Sequence, residues 1–443
     1  MQHNWPDGAR PHAGACLLIA ASLCCCGTRP KVALDPDPET HSQRVGPPFP
    51  SPAASVDSEI VQTVRLVAEL RGWDPRLSVR AEVVDQDRIV RSMLADVHAQ
   101  VAPNVFRTQQ EFLAAFGWSP PDFDFERDVL GRFARELSGV YCVTSQRILL
   151  ARNIDRRSAR RTLRHEVVHA FQDSRYDLSA RTRWISDRGD YVAAIHALAE
   201  GEATCIELQL DDAHHLGCMD PAFDDSRYRD GDSDQRLLSV PRVVRHSLYA
   251  PYLDGVRYVR RLLRQGGWAA VERAWAGKLQ STRALFRGTE QEAVRLPVPE
   301  VPASIRQCQL HFVDMIGEES LRSFVWDTAT PNELDSVLES LDGERAAVWQ
   351  CDERCVAGLH LHFGDATGAA AYAGWLSDSW EGDLRRGGTS CVRFGTRTVS
   401  LQRHSQDIAI ASVRPCYQRD ARGAADNCPQ SVELASRLAD FHP

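Results

Sequence analysis

The sequence predicts a mostly α-helical protein with one small β-hairpin or sheet, closed by a small α+β unit at the C-terminus. Three observations carry this expectation. Between Ser58 and Trp275, apolar residues recur every three or four positions over long stretches, the period of helices buried along one face. Two short apolar runs, Val140 to Val143 and Ile148 to Ala151, flank Thr144-Ser145-Gln146-Arg147 and read as a hairpin. Beyond Val348 the pattern changes toward alternation, the period of strands. Apolar residues make up 43% and charged residues 25% of the 443 positions, which excludes a largely disordered chain. The net charge is −8, so no basic excess points to nucleic acid as a partner.

At the N-terminus, Ala13 to Cys26 is an uncharged, mostly apolar run preceded by Arg10. It is shorter than the roughly 20 residues a membrane-spanning helix needs and has the length of a signal-peptide core. It ends Leu23-Cys24-Cys25-Cys26-Gly27, and a Leu three positions before a Cys resembles the bacterial lipobox. That resemblance implies acylation of Cys26 and a lipid anchor in a membrane. An ordinary secretory signal is the alternative, and both imply export to the cell envelope, periplasmic or outer-membrane associated. Residues 1–26 are thus expected to be signal, and 27–57, with Pro47, Pro48, Pro50 and Pro52, an extended tether.

Nine cysteines remain beyond Cys26, and in an exported protein they can pair. Cys416 with Cys428 and Cys351 with Cys355 are the expected bridges, and an odd number leaves a thiol over. No CxxC pair exists, so a thiolate zinc site is not expected.

The folded part divides on pattern into 58–345 and 346–443. In the first, Ser58 to Arg71 places Ile60, Val64, Val67 and Leu70 on one helical face. A strand over Leu77 to Val84, a helix over Ile89 to Val101 and, after Pro120-Pro121, a helix over Phe125 to Leu137 precede the hairpin. Two helices follow, Arg156 to Asp173 and Ser186 to about Asp211, the second capped by Ser186 or Asp187. Val243 to Trp275 is helical with a break at Gly266-Gly267. In the second part, Leu359 to Phe363, Val392 to Arg403 and Ile408 to Val413 read as strands, and Asp365 caps a helix to Leu376.

The chemistry lies in His165-Glu166-Val167-Val168-His169. On a helix, residues four apart share a face, so both imidazoles reach one metal ion, with Glu166 beside them to take a proton from bound water. Thr162, His165, Glu166, His169 and Asp173 form one polar stripe, and Leu163, Val167, Ala170 and Phe171 lie opposite. Burying imidazole and carboxylate unpaired costs a few kcal/mol, which one Zn²⁺ ion removes. A catalytic zinc needs a third protein ligand. The second helix offers Glu200-Gly201-Glu202, and periodicity alone does not choose between the two acids. Gly in mid-helix costs about 1 kcal/mol against Ala, which suits a position where backbone must lie close to the metal-bearing helix.

This arrangement, HExxH followed by a second helix with a Glu before a Gly, resembles the gluzincin metallopeptidases, the group of thermolysin and the zinc aminopeptidases. It is most similar to a set of bacterial and archaeal envelope proteins described as zinc peptidases. Their pattern is a G-F-Y-type strand, T-L-x-H-E-x-x-H-A-x-Q-D and A-L-x-E-G-E-A, seen here as Gly139-Val140-Tyr141, Thr162 to Asp173 and Ala197 to Ala203. The resemblance spans roughly residues 58 to 400, judged by eye. It departs at Arg283 to Gly288, where those proteins carry Glu-Gln and His-Pro. It implies a zincin-like α+β domain, Glu200 as third ligand, and a peptide or protein as substrate. Thermolysin has an Asp four after its ligand Glu; Thr204 stands there in this chain, so Asp173 is the expected partner of a ligand histidine.

The implied reaction attacks a peptide carbonyl with metal-activated water, Glu166 acting as general base. Tyr252, with Tyr249 and His246 behind it, is the candidate donor to the oxyanion. Cys142 to Leu149 is the candidate edge strand for pairing with substrate. The arginines from Arg156 to Arg164 read as a solvated face, and His214, His215, His360, His362 and His404 as surface or packed residues. Two other readings are a non-catalytic binding or structural lipoprotein on a peptidase-like scaffold, and a zinc hydrolase acting on something other than a peptide.

Overall fold

The computed structural model describes residues 52–120, 122–131, 134–211, 217–220, 239–288, 293–298, 301, 305, 307–351, 354–380, 391–394, 397–415 and 428–439. Cys26 and residues 27–51 of the tether lie outside them, and residues 52–57, expected to be extended, are instead the first turns of a helix. No helix among the described residues is long and apolar enough to cross a membrane.

The chain opens with α1 (Pro52–Arg71), β1 (Arg80–Val84), α2 (Gln86–Gln100) and α3 (Pro103–Ala115). Helix α3 was not expected; Pro sits at its first position, where a missing N–H costs nothing. Of the helix expected over Phe125 to Leu137, residues 125–131 are helical with a π turn at Glu126–Leu130, and Ala134–Glu136 form a 3₁₀ turn; residues 132 and 133 lie outside the described residues. The hairpin forms as β2 (Gly139–Cys142) and β3 (Arg147–Ala151), with β1 added parallel to β3, so β2 is left at the sheet edge. A Cβ on Gly139 would stand 2.5 Å from the Thr162 methyl carbon, so its lack of a side chain lets the edge strand lie against the motif helix.

That helix is α4 (Arg156–Tyr176). Asp155 caps it by accepting from Ser158 N at 2.9 Å, and Asp177, in the left-handed region at φ 55°, ends it and starts α5 (Leu178–Thr182). Helix α6 (Gly189–Asp211) is buried almost all round. Its expected caps do other work: Ser186 donates to Val313 O, and Asp187 pairs with Arg345. Asp314 takes the Gly189 N–H instead, at 2.9 Å. Helix α7 (Arg242–Arg273) breaks at Gly266 and Gly267, as the sequence predicts.

Helices α6 and α7 cross backbone to backbone. A Cβ on Gly201 would fall 2.2 Å from the Gly255 carbonyl, and one on Gly255 would fall 1.9 Å from Ala197 O. The expectation that Gly201 brings α6 against the metal-bearing helix is therefore corrected: the close approach is to α7. After α8 (Thr282–Arg287) and β4 (Val294–Arg295) come β5 (Cys308–Asp314), α9 (Gly317–Phe324), α10 (Pro331–Leu338), β6 (Leu341–Cys351), β7 (Arg354–Phe363) and α11 (Ala366–Ser379). The chain ends with β8 (Cys391–Phe394), β9 (Arg397–His404), β10 (Asp407–Pro415) and α12 (Cys428–Ala439).

Helix dominates, with two mixed sheets. The second is larger than expected, seven strands in the order β4-β6-β7-β10-β9-β8 with β5 on β6. The boundary expected at 345/346 falls inside β6, and the sheet reaches back to Val294. One apolar core joins Val67, Phe106, Val167, Leu198 and Val259 to Leu359, Phe363 and Ile410 of the sheet. Buried acids hold three helix starts together: Asp314 at α6, Asp190 on Thr282 N at α8, and Glu344 on Gly317 N at α9. Each carboxylate meets the positive end of a helix, which offsets part of its burial cost.

The expected Cys351–Cys355 bridge is not formed. Cys205 joins Cys218, and Cys308 joins Cys351 across the β5–β6 pair. Cys351 and Cys355 sit in a β-hairpin rather than on a helix; Cys351 pairs with Cys308, and Cys355 is bonded elsewhere. Cys416 and the Cys428 side chain lie outside the described residues. Cys142 is free and buried.

Candidate metal centre

His165 and His169 stand one turn apart on α4, with ring centroids 4.8 Å apart and planes at 74°. Glu200 of α6 faces both. Its Oε2 lies 3.1 Å from His165 Nε2, and its Oε1 lies 3.6 Å from His169 Nε2. One donor atom from each residue falls within 4.8 Å of the others, and the group can hold a metal ion. The three side chains are 0 to 2% exposed. His169 Nε2 and Glu200 Oε1 have no hydrogen-bond partner, and a buried acceptor left so costs about 1–3 kcal/mol. A cation satisfies both at once, so the residues present fit a metal.

The choice between the two acids of α6 is settled by direction. Glu202 turns away and accepts from Arg71 Nε at 2.7 Å, Gln172 Nε2 at 2.9 Å and Trp275 Nε1 at 2.8 Å.

Each ligand histidine is held from its far nitrogen. His165 Nδ1 lies 3.2 Å from Glu207 Oε2, and Glu207 is held by Arg161 at 2.9 Å. His169 Nδ1 lies 2.8 Å from Gln172 Oε1. Such partners orient the ring and leave Nε2 for a metal. Asp173, expected in this role, instead accepts from the Tyr141 hydroxyl at 2.9 Å and from Ser179 N.

Glu166 is fully buried. Its Oε2 accepts the backbone N–H of Tyr141 on the edge strand at 2.7 Å, and its Oε1 has no partner. The edge strand beside Glu166 is β2, Gly139–Cys142; the expected segment Cys142 to Leu149 meets it only at Cys142 and otherwise covers the turn and the inner strand.

Burial pushes the Glu166 carboxyl up, against the pull of His165 and His169. For Glu200 burial acts in the same direction, but His169 and His165 overcome it and hold the carboxyl down at about 2. Burial alone would lower His165; hydrogen bonds to Glu200 and Glu207 hold it up to about 10. His196, one turn before Glu200, is pushed down to about 3, mainly by burial.

These shifts set a pH dependence. The raised His165 contributes stability that is full below its ordinary 6.5 and is lost as pH rises toward about 10. The lowered Glu200 contributes stability present above its ordinary 4.5 and lost as pH falls toward about 2. The metal-free protein is therefore expected to lose thermal stability above pH 6.5. Metal uptake at pH 7 is expected to release a proton, because a metal on Nε2 displaces it. Calorimetry in two buffers of different ionisation enthalpy measures this; equal heats would refute a protonated His165.

The other expected site residues are not drawn into the donor group. Tyr252 is buried on α7 in a small apolar pair with Leu253. Tyr249 and His246 line a separate cavity of about 370 Å³ beside Trp118 and Trp326, where His246 Nδ1 bonds Ser323 Oγ at 2.7 Å. Arg156, Arg157 and Arg160 lie on an exposed face, as expected, and four of the arginines also carry ion pairs: Arg156 and Arg160 with Glu59, Arg161 with Glu207 and Asp211, Arg164 with Asp211. His360 and His362 both bond Asp407 Oδ1, at 2.9 and 3.0 Å, as packed residues of the sheet.

Sequence reasoning missed Gln172, His196 and Glu207. Helical spacing was the available signal: Gln172 is three after His169, and His196 and Glu207 lie one turn before and two turns after Glu200 on its face.

Fold and site together define a helical protein with a buried centre of two histidines and a glutamate able to hold a metal ion. Neither models of protein families, nor curated proteins, nor solved structures give a match to this chain.

Proposed function

We propose that this chain is a zinc-dependent peptidase of the gluzincin kind, exported to the bacterial cell envelope and tethered there through Cys26. The observation that carries the proposal is the coincidence of two features. His165, His169 and Glu200 converge from two helices, and Glu166 is held on the edge-strand N–H with one oxygen to spare. A structural site needs ligands only, whereas this one keeps a base.

Zinc in this donor set supplies a bound water with its pKa lowered toward about 7 and a Lewis acid for the substrate carbonyl. The chain's own residues supply the rest. Glu207 and Gln172 hold the two imidazoles with Nε2 inward. Tyr141 N–H fixes Glu166 Oε2, which leaves Oε1 to take the proton of the attacking water and pass it to the leaving amine. Burial raises the Glu166 carboxyl, which favours holding that proton between the two steps.

One observation favours a second reading, a non-catalytic protein on a peptidase-like scaffold: the ligands are 0 to 2% exposed, so substrate must open a path to them. Metal analysis and cleavage assays separate the two. One zinc per chain is expected, lost in His165→Ala, with zinc-dependent cleavage of a peptide library. Stoichiometric zinc without any cleavage would support the scaffold, and absence of zinc would end the peptidase reading.

A further inference from the structure

One metal ligand is joined to the N-terminal helix by an unbroken set of polar contacts. Arg71, the last residue of α1, lies between Trp73 and Trp268, its guanidinium carbon 4.3 and 4.4 Å from the ring centres. It donates from Nε to Glu202 Oε1 at 2.7 Å, and both side chains are fully buried. Glu202 Oε2 accepts from Gln172 Nε2 at 2.9 Å, and the same amide nitrogen donates to Ala199 O at 3.1 Å.

Both amide protons of Gln172 are thus committed to acceptors. Reversing the amide would set its oxygen against the Ala199 carbonyl and the Glu202 carboxylate, two repulsive contacts. Gln172 Oε1 therefore faces His169 Nδ1 at 2.8 Å. An amide oxygen only accepts, so His169 carries a proton on Nδ1, and Nε2 is the nitrogen turned toward Glu200.

Resting on the metal-site reading above, we infer that Arg71, Glu202 and Gln172 form a positioning relay that fixes the tautomer of His169 and ties metal affinity to the docking of α1. By reciprocity, the bound metal strengthens that docking by the same factor. A buried Glu202 that merely needed a counter-ion would not require Gln172 to be oriented by it.

The test uses the metal-free full chain labelled with ¹⁵N-histidine, together with zinc titrations against a chelator. Ring nitrogen shifts of His169 are expected to show Nδ1–H in the wild type and a mixture of tautomers in Gln172→Met. Zinc affinity is expected to fall roughly 10- to 100-fold in Gln172→Met and in Arg71→Met. The double variant should bind no more weakly than the weaker single one, because both break the same chain of contacts. Should Arg71→Met fail to fold, Arg71→Lys is expected to show a smaller loss in the same direction. An Nε2–H tautomer in the wild type overturns the relay. So does a Gln172→Met variant with lowered melting temperature but unchanged tautomer and affinity, or losses that multiply in the double variant. If the wild type binds no zinc, the metal reading fails while the tautomer result still decides the relay.

Discussion

Glu166→Gln is expected to keep one zinc ion per chain and to lose peptide hydrolysis by roughly 10² to 10⁴-fold. The amide has nearly the volume of the carboxyl, and its oxygen can still accept the Tyr141 N–H. The ligand group does not include it, so metal content should not change. What is removed is the acceptor at Oε1, which has no other partner. Parallel zinc analysis and single-turnover cleavage provide the measurement. Full activity in the variant would assign the base elsewhere; loss of zinc would mean that Glu166 organises the site rather than serving the reaction.

Gly255→Ala is expected to be the most damaging change outside the ligands, at about 3 kcal/mol or more. The obstruction at 1.9 Å is the Ala197 carbonyl oxygen, which is backbone and has no rotamer to adopt. Gly201→Ala meets the Gly255 backbone at 2.2 Å and should behave alike. Either change forces α6 from α7, and because Glu200 adjoins Gly201, metal affinity should fall with thermal stability. Gly374→Ala is the control: it sits exposed in α11 with nothing within 4 Å of a Cβ, and should be neutral or gain up to about 1 kcal/mol. Differential scanning calorimetry of the variants with and without zinc decides it; near-wild-type melting of Gly255→Ala would refute the crossing.

What the sequence made legible here was mostly local. HExxH declares a shared face by spacing alone, and the Gly266-Gly267 break and the Asp365 cap, which accepts from Gly368 N at 2.7 Å, are equally short-range. The choice of Glu200 over Glu202 needed direction in space, because Arg71 and Trp275, which claim Glu202, lie 131 and 73 residues away in sequence. Strand β6 was illegible because nearly every residue from Leu341 to Cys351 is buried, so its run lacks the alternation that marks a strand with one wet face. Over Phe125 to Leu137 the helical spacing is met by helical turns, of π type at Glu126–Leu130 and of 3₁₀ type at Ala134–Glu136, a distinction that spacing does not make. The Cys351–Cys355 expectation followed proximity in sequence, whereas Cys351 pairs with Cys308 across neighbouring strands.

The capping of α6 by Asp314 bears on the order of events during biogenesis. The carboxylate that completes the start of the Glu200 helix is 125 residues downstream of the amide it receives. A nascent chain emerging from the ribosome therefore presents both histidines long before the helix carrying their third companion can be finished at its leading end. The start of the helix that carries Glu200 is therefore completed only once synthesis has passed residue 314, so the N-terminal half alone does not hold this part of the site in its final arrangement.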